Sequence, residues 1–231
     1  MSTPINKQEI SIIIPAFNEE AVIRLVVKEL ADEGYQVIVV DDGSEIPVSE
    51  LLQDMPVYIL RHETNLGQGA ALQTGIEFAI EKDIPYLVTF DADGQHDAKD
   101  IQSLLLPCMA GNTDIVFGSR FMKGAVQDMP AKRKRLLHIA RYLNYFFTGL
   151  LLTDAHNGLR ALTKKAASKI HIHENGMAHA TELLTQVKNN GLRYTEIPVH
   201  IRYTEYSRQK GQTIWSGFRV FFDILLNKIF R

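Results

Sequence analysis

The run Asp91-Ala92-Asp93-Gly94-Gln95-His96 places two carboxylates one residue apart, directly after the apolar stretch at 86–90. Two such groups on one turn can share a hard divalent cation, and Mg²⁺ takes one or two protein carboxylates together with phosphate oxygens. A cation held there neutralises a diphosphate and stabilises it as it departs. Gln95 offers a further oxygen. Asp91, Asp93 and Gln95 are therefore the candidate ligands for Mg²⁺ or Mn²⁺. The same spacing also describes a plain polar turn after a strand, so the neighbouring segments decide its meaning. Asp42, in Asp41-Asp42-Gly43-Ser44, can accept hydrogen bonds from a base N–H or from ribose hydroxyls; its other use is to cap the turn that follows. Asn65-Leu66-Gly67-Gln68-Gly69 opens a helical pattern and can let backbone come close to a nucleotide at Gly67. It lacks a P-loop lysine and does not match G-x-G-x-x-G, and small residues there also serve helix–sheet packing.

These segments follow strand patterns. Residues 11–15, 37–40, 57–60, 86–90 and 114–117 are short, mostly β-branched or apolar runs. Between them, helical spacing covers 19–32, 69–81 and 100–109. Strands alternating with helices of this length predict an α/β fold, a mostly parallel central sheet with helices on both faces. Ligands of such sheets sit beyond the carboxyl ends of the strands. Pro15-Ala16-Phe17-Asn18-Glu19, Asp41-Asp42, Asp91-Ala92-Asp93 and Gly118-Ser119-Arg120 all fall there. Further on, 131–152 is helical in pattern with a basic beginning, 159–163 and 194–202 are strand candidates, and 181–189 and 213–231 are helical. The expected organisation is one domain over 1–212 and an amphipathic helix over 213–231.

Taken in order, SIIIPAFNEE, VIVVDDGS, NLGQGAALQTGIEFA, TFDADGQH, IVFGSR and DAHNGLRALTKKA resemble the family-two inverting glycosyltransferases of GT-A fold. The resemblance leads to the branch of dolichyl-phosphate mannosyltransferase and bacterial polyprenyl-phosphate glycosyltransferases. It implies that Pro15, Ala16, Phe17, Glu19, Asp42, Gly67, Asp91 and Ala92 hold the nucleotide, and that Asp91, Asp93 and Gln95 meet metal and diphosphate. It implies a catalytic trio of Asp93, Arg120 and Asp154, with Arg120 and Arg160 facing phosphate. The polar stretch 203–212 resembles the acceptor loop of related enzymes, with Arg202, Arg208 and Lys210 as phosphate clamps. Asn157 and Leu159 depart from the family's usual Ser or Cys before that Gly and Phe after it. The implied reaction is inverting transfer from a UDP- or GDP-sugar to a polyprenyl phosphate, for cell-surface polysaccharide or glycoconjugate assembly. A lipid phosphate is ionised at neutral pH and needs no base, whereas a saccharide hydroxyl does; Asp154, then His156, are the candidates for that base.

Composition limits the alternatives. The 25 Lys and Arg against 27 Asp and Glu give a formal charge of −2, which argues against a nucleic-acid binder. The single cysteine, Cys108, excludes an intrachain disulfide framework and a cysteine metal cluster. No signal-peptide pattern opens the chain, and no apolar run has the ~18 residues of a membrane span. The expected place is cytoplasmic, peripheral at the inner face of the membrane. Lys132-Arg133-Lys134-Arg135 precedes an apolar helical face and suits an anionic surface or a polyprenyl phosphate, with Arg133 and Arg135 as acceptor contacts. The 213–231 stretch carries more apolar surface than an exposed helix should, which points to a membrane, a membrane partner, a homo-oligomer contact or its own core. A sugar nucleotidyltransferase normally opens with a glycine-rich basic loop, which PAFNEE is not. A catalytically silent nucleotide-sugar-binding subunit is the remaining alternative, and the intact Asp42, Asp91 and Asp93 argue against it.

Overall fold

The computed structural model describes residues 5–125, 141–142, 144–176 and 178–202. Seven strands form one sheet: β1 (Ile10–Ala16), β2 (Gln36–Asp41), β3 (Tyr58–Arg61), β4 (Tyr86–Thr89), β5 (Ile115–Ser119), β6 (Arg160–Thr163) and β7 (Tyr194–Pro198). Their spatial order is β3-β2-β1-β4-β6-β5-β7. The helices are α1 (Ile23–Asp32), α2 (Val48–Leu51), α3 (Gln68–Glu81), α4 (Asp100–Met109), α5 (Lys164–Ala167) and α6 (His179–Asn189).

The isoleucine run of β1 shows why this sequence makes a buried strand. Side chains alternate between faces along a strand. Ile10, Ile12 and Ile14 enter one apolar layer with Val26, Val27 and Leu30 of α1 and Leu104 and Leu105 of α4. Ile13 enters the opposite layer with Ala71, Leu72 and Ile76 of α3 and Leu183, Leu184 and Val187 of α6. A strand covered on both sides is apolar at nearly every position, here all but the buried Ser11, which is the mark of a parallel sheet between helices.

β1 pairs in parallel with β2 and β4, β2 with β3, and β5 with β7. β6 is the exception, antiparallel between β4 and β5. It enters the sheet from the edge at which its neighbours end, so Arg160 stands level with Thr89 and Phe117. That reversal carries the Asp154–Leu159 segment to the rim where β1, β2, β4 and β5 finish. Helix α1 begins at Ile23 instead of 19, because the Glu19 carbonyl first takes the Val22 and Ile23 N–H groups in a turn. β7 ends at Pro198, short of 202, and Ile201 forms an isolated bridge with His96. Of the expected 131–152 helix, 141–142 and 144–148 are described and helical. The calls at Arg133, Arg135, Arg208 and Lys210, the 203–212 loop and the 213–231 helix lie outside the described residues. No described helix is long and apolar enough to cross a membrane.

Candidate active site

Asp91 and Asp93 leave the carboxyl end of β4 and meet different surroundings. His96 donates from Nε2 to Asp91 Oδ2 at 2.9 Å, and Gln68 Nε2 donates to Oδ1 at 3.2 Å. Asp91 also lies against Gly158, where a Cβ would come within 2.2 Å of its carboxylate. Only glycine admits this approach, which gives Gly158 its reason. Burial pushes the Asp91 carboxyl up. The His96 hydrogen bond and the charges of His96, Arg160 and His179 outweigh it and hold the group below the ordinary range. Asp93 is pushed the other way, to about 6, first by burial and then by the Asp91 charge, with Glu19 adding to it. Its Oδ1 accepts the Gln95 N–H at 3.0 Å. Among the described residues no hydrogen bond reaches Asp93 Oδ2 or the Gln95 side-chain amide.

This donor set fits a hard divalent cation. It offers carboxylate and amide oxygens, one carboxylate fixed by its partners and a second whose charge is costly until a cation relieves it. Among the described residues no cluster of three or more His, Cys, Asp or Glu holds a metal by itself. A cation held here would complete its shell with water and phosphate oxygens.

Cationic groups stand behind the pair. Arg160 is 2% exposed, and among the described residues its Nε and Nη1 meet no hydrogen-bond partner. Burial lowers its pKa, while Asp91 and Asp154 partly counter that. His179, at the start of α6, bonds the Gly176 carbonyl through Nδ1 at 2.9 Å. Burial, with Arg160 nearby, brings it down to about 4. His156 is also lowered to about 4, chiefly by burial. Both imidazoles are therefore neutral at neutral pH, and the positive charge in this part of the site belongs to arginine.

Arg120, just past β5, is locked to Asp154. Nε donates to Oδ2 at 2.6 Å, Nη2 to Oδ1 at 2.8 Å, and the Arg120 backbone N–H to Oδ2 at 3.1 Å. Burial alone would raise Asp154, and Arg120 overrides it to leave the carboxyl below its usual range. A general base works best with a pKa near the operating pH and a lone pair facing substrate. Asp154 instead sits below that range, with both oxygens engaged by Arg120. Glu196 of β7 fixes the loop in turn, accepting the Thr153 N–H at 2.8 Å, the Thr153 hydroxyl at 2.7 Å and the Asp154 N–H at 3.1 Å.

On the β1–β2 side the carboxylates organise loops. Asp42 is 3% exposed. It accepts the Leu66 N–H at 2.9 Å and the Gly67 N–H at 2.7 Å, and His62 Nδ1 lies 2.7 Å from Oδ1. Asp41 accepts the N–H groups of Ser44 and Val48 and pairs with Arg61. Gly67 has φ +106°, and a Cβ there would meet the Asn175 carbonyl at 2.3 Å. The close approach expected at Gly67 is made by the protein's own backbone. Pro15 is half-buried, while Ala16 and Ala92 face the core. Phe17 is 43% exposed at the mouth. Arg202, expected as a phosphate clamp, bonds Asp97 at 2.6 Å and reaches Glu29, and its backbone N–H meets the Gln95 carbonyl at 2.8 Å. It braces the Asp93–Asp97 turn against α1.

Sequence reading passed over His96, Gln68, Gly158, His179 and Glu196. His96 had the clearest signal, since it closes the same turn as the two aspartates. Glu196 had a weaker one, an acid inside a strand pattern.

The glycosyl transferase family 2 profile matches residues 11–171. A UDP-N-acetylglucosamine–dolichyl-phosphate N-acetylglucosaminyltransferase of Methanococcus voltae is 32% identical, over 95% of this chain and 96% of its own. An uncharacterised protein of Methanocaldococcus jannaschii is 37% identical, over 98% of this chain and 95% of its own. Among solved structures, glucosyl-3-phosphoglycerate synthase from Mycobacterium tuberculosis, in complex with Mn²⁺, UDP and glucosyl-3-phosphoglycerate, superposes with a TM-score of 0.66 at 20% identity. The match covers 90% of this chain and 78% of that one, a likeness of fold.

Proposed function

From the premise that this chain belongs to glycosyl transferase family 2 and is a glycosyltransferase of GT-A-like fold, we propose that it moves a sugar from a UDP- or GDP-sugar to a polyprenyl phosphate. In this reading the donor lies along the carboxyl edge of the sheet. Phe17, Pro15 and Glu19 border its nucleoside, with the backbone of Ala16 and Ala92 and the Asp42-anchored loop of Gly67 behind them. Asp91, Asp93 and Gln95 hold Mg²⁺ or Mn²⁺, which supplies charge neutralisation for the departing diphosphate.

The observation that carries the reading is the pairing of a fixed Asp91 with an Asp93 lifted to about 6, near a buried Arg160 whose Nε and Nη1 meet no hydrogen-bond partner among the described residues. A metal-bound diphosphate would answer both: its charge would meet Arg160, and the cation would offset the cost of the Asp93 charge. The acceptor phosphate oxygen attacks the anomeric carbon from the side opposite the leaving diphosphate. The new C–O bond forms as the bond to the diphosphate oxygen breaks, and the configuration inverts. A phosphate oxygen is already anionic, so no residue need take a proton. That agrees with an Asp154 closed on Arg120 and with two imidazoles held near pKa 4. Arg120 and Arg160 position phosphate by charge and directed N–H groups, and Asp154 and Glu196 keep Arg120 in place. The relative in Methanococcus voltae, named for transfer to dolichyl phosphate, supports a lipid phosphate acceptor. The reaction then belongs at the inner membrane face, in cell-surface polysaccharide or glycoconjugate assembly.

The test is incubation with a panel of UDP- and GDP-sugars, Mn²⁺ and a short-chain prenyl phosphate, with products weighed by mass spectrometry. A prenyl phosphate carrying one sugar is expected from one donor. Transfer only to free saccharides, with the prenyl phosphate untouched, would contradict the acceptor assignment. Tight nucleotide binding without transfer or hydrolysis would point to a silent subunit.

A further inference from the structure

Residues 141–151 invert the arrangement of an ordinary surface helix. Asn144 and Thr148, one turn apart, are buried at 1% and 5% exposure. Among the described residues both amide atoms of Asn144 lack a hydrogen-bond partner, while its backbone carbonyl accepts the Thr148 hydroxyl at 2.8 Å. The outward stripe is aromatic: Tyr142, Tyr145 and Phe146 are 61%, 47% and 81% exposed, and Leu151 follows at 43%. The i, i+3, i+4 spacing sets the three rings on a single face. Elsewhere among the described helices exposed large apolar side chains stand singly, as Leu25 does on α1 and Leu106 on α4. Polar inside and aromatic outside is the reverse of what water selects, and a contiguous exposed patch marks an interaction surface.

We propose that this stripe docks onto an anionic lipid surface, its rings entering the headgroup level. Charge chooses lipid. Lys132-Arg133-Lys134-Arg135 lies close upstream of Tyr142 in a chain whose net charge is −2. Such a basic cluster is attracted to an anionic bilayer surface. Arg141, its guanidinium 5.5 Å from the Tyr142 ring centroid, adds another cation at the stripe itself. Residue type agrees, since tyrosine combines an apolar ring with a polar tip suited to the membrane interface. Connectivity agrees as well. The segment runs through buried Leu150 and Leu152 into Thr153 and Asp154, which hold Ser119 and Arg120. Lipid contact at the stripe is thereby tied to the arginine that awaits the acceptor phosphate. The proposal rests on the lipid-phosphate reading above.

The test places a reporter on the stripe. Phe146→Trp, in a chain whose single tryptophan is removed by Trp215→Phe, should show a blue-shifted emission with vesicles of phosphatidylglycerol and phosphatidylcholine. Phosphatidylcholine alone should give none, and high salt should reverse the shift. Tyr142→Ser with Tyr145→Ser should weaken vesicle binding by about tenfold or more, as loss of two buried rings requires. Co-sedimentation without a shift would overturn the proposal, because the protein would then bind lipid elsewhere. So would an equal shift in lipid-free solution at rising protein concentration, which would assign the stripe to a second copy or a protein contact. Transfer to a water-soluble short-chain prenyl phosphate separates the two readings. Docking lost with transfer intact removes the stripe assignment alone, and transfer absent with docking intact removes the acceptor assignment alone.

Discussion

Asp41 and Asp42 end β2, and Asp91 and Asp93 follow β4; the two pairs leave one edge of one sheet in similar turns, yet their oxygens meet different surroundings. At β2, N–H groups of Ser44, Val48, Leu66 and Gly67, with Arg61 and His62, engage both carboxylates. Those aspartates hold loops. At β4 only Asp91 is fixed on both oxygens, and Asp93 is left with a charge its surroundings resist. Motif and position make a carboxylate a candidate, and incomplete satisfaction makes it available for a ligand. A protein tolerates that strain where a ligand later relieves it.

The comparison can be broken by exchanging the fates of the two pairs. Asp93→Asn should lower transfer by about 10³-fold, the scale for losing stabilisation of a departing charge. It should also raise stability at neutral pH by about 3 kcal/mol. The sign follows from a folded pKa lifted to about 6: the ionised form costs stability as pH rises through that value, and Asn removes the cost. Thermal melts beside the transfer assay check both parts. Asp154→Ala strands a buried Arg120 and should cost about 3–5 kcal/mol in urea unfolding. Asp42→Ala leaves two loop N–H groups and His62 without their acceptor, for about 2 kcal/mol in the same measurement.

The smallest effect sharpens the comparison through pH. His156 and His179 titrate near 4 when folded and near 6.5 when free, so the unfolded chain binds more protons in between. Their contribution is full above 6.5 and declines as pH falls toward 4, by about 1 kcal/mol per histidine at pH 6. Asp93 works in the opposite sense over the same window. The histidine loss should therefore be steeper in Asp93→Asn than in the wild type, which melts at stepped pH will show.

Local chemistry made much of this legible in sequence. The β1 isoleucines, the spacing of α3 and α4, and the Asp-x-Asp turn each state their place within a few residues. Long-range pairing was silent. Nothing in the order of residues says that β6 reverses between β4 and β5, that Gly158 receives the Asp91 carboxylate, or that Arg120 closes on Asp154. These contacts join segments far apart in the chain, and their energies depend on a sheet order that local periodicity does not encode. Arg202 shows the other limit: a basic residue beside a polar loop reads as a phosphate clamp, and its ion pairs with Asp97 and Glu29 are not legible in the sequence.

Calorimetric titration of UDP and GDP, with and without Mn²⁺, on the wild type and on Asp93→Asn tests the central claim most directly. Mn²⁺ should tighten nucleotide diphosphate binding to the wild type, and that gain should vanish in the variant while the metal-free affinity stays similar. An equal gain from Mn²⁺ in both proteins would contradict the assignment of the cation to the end of β4.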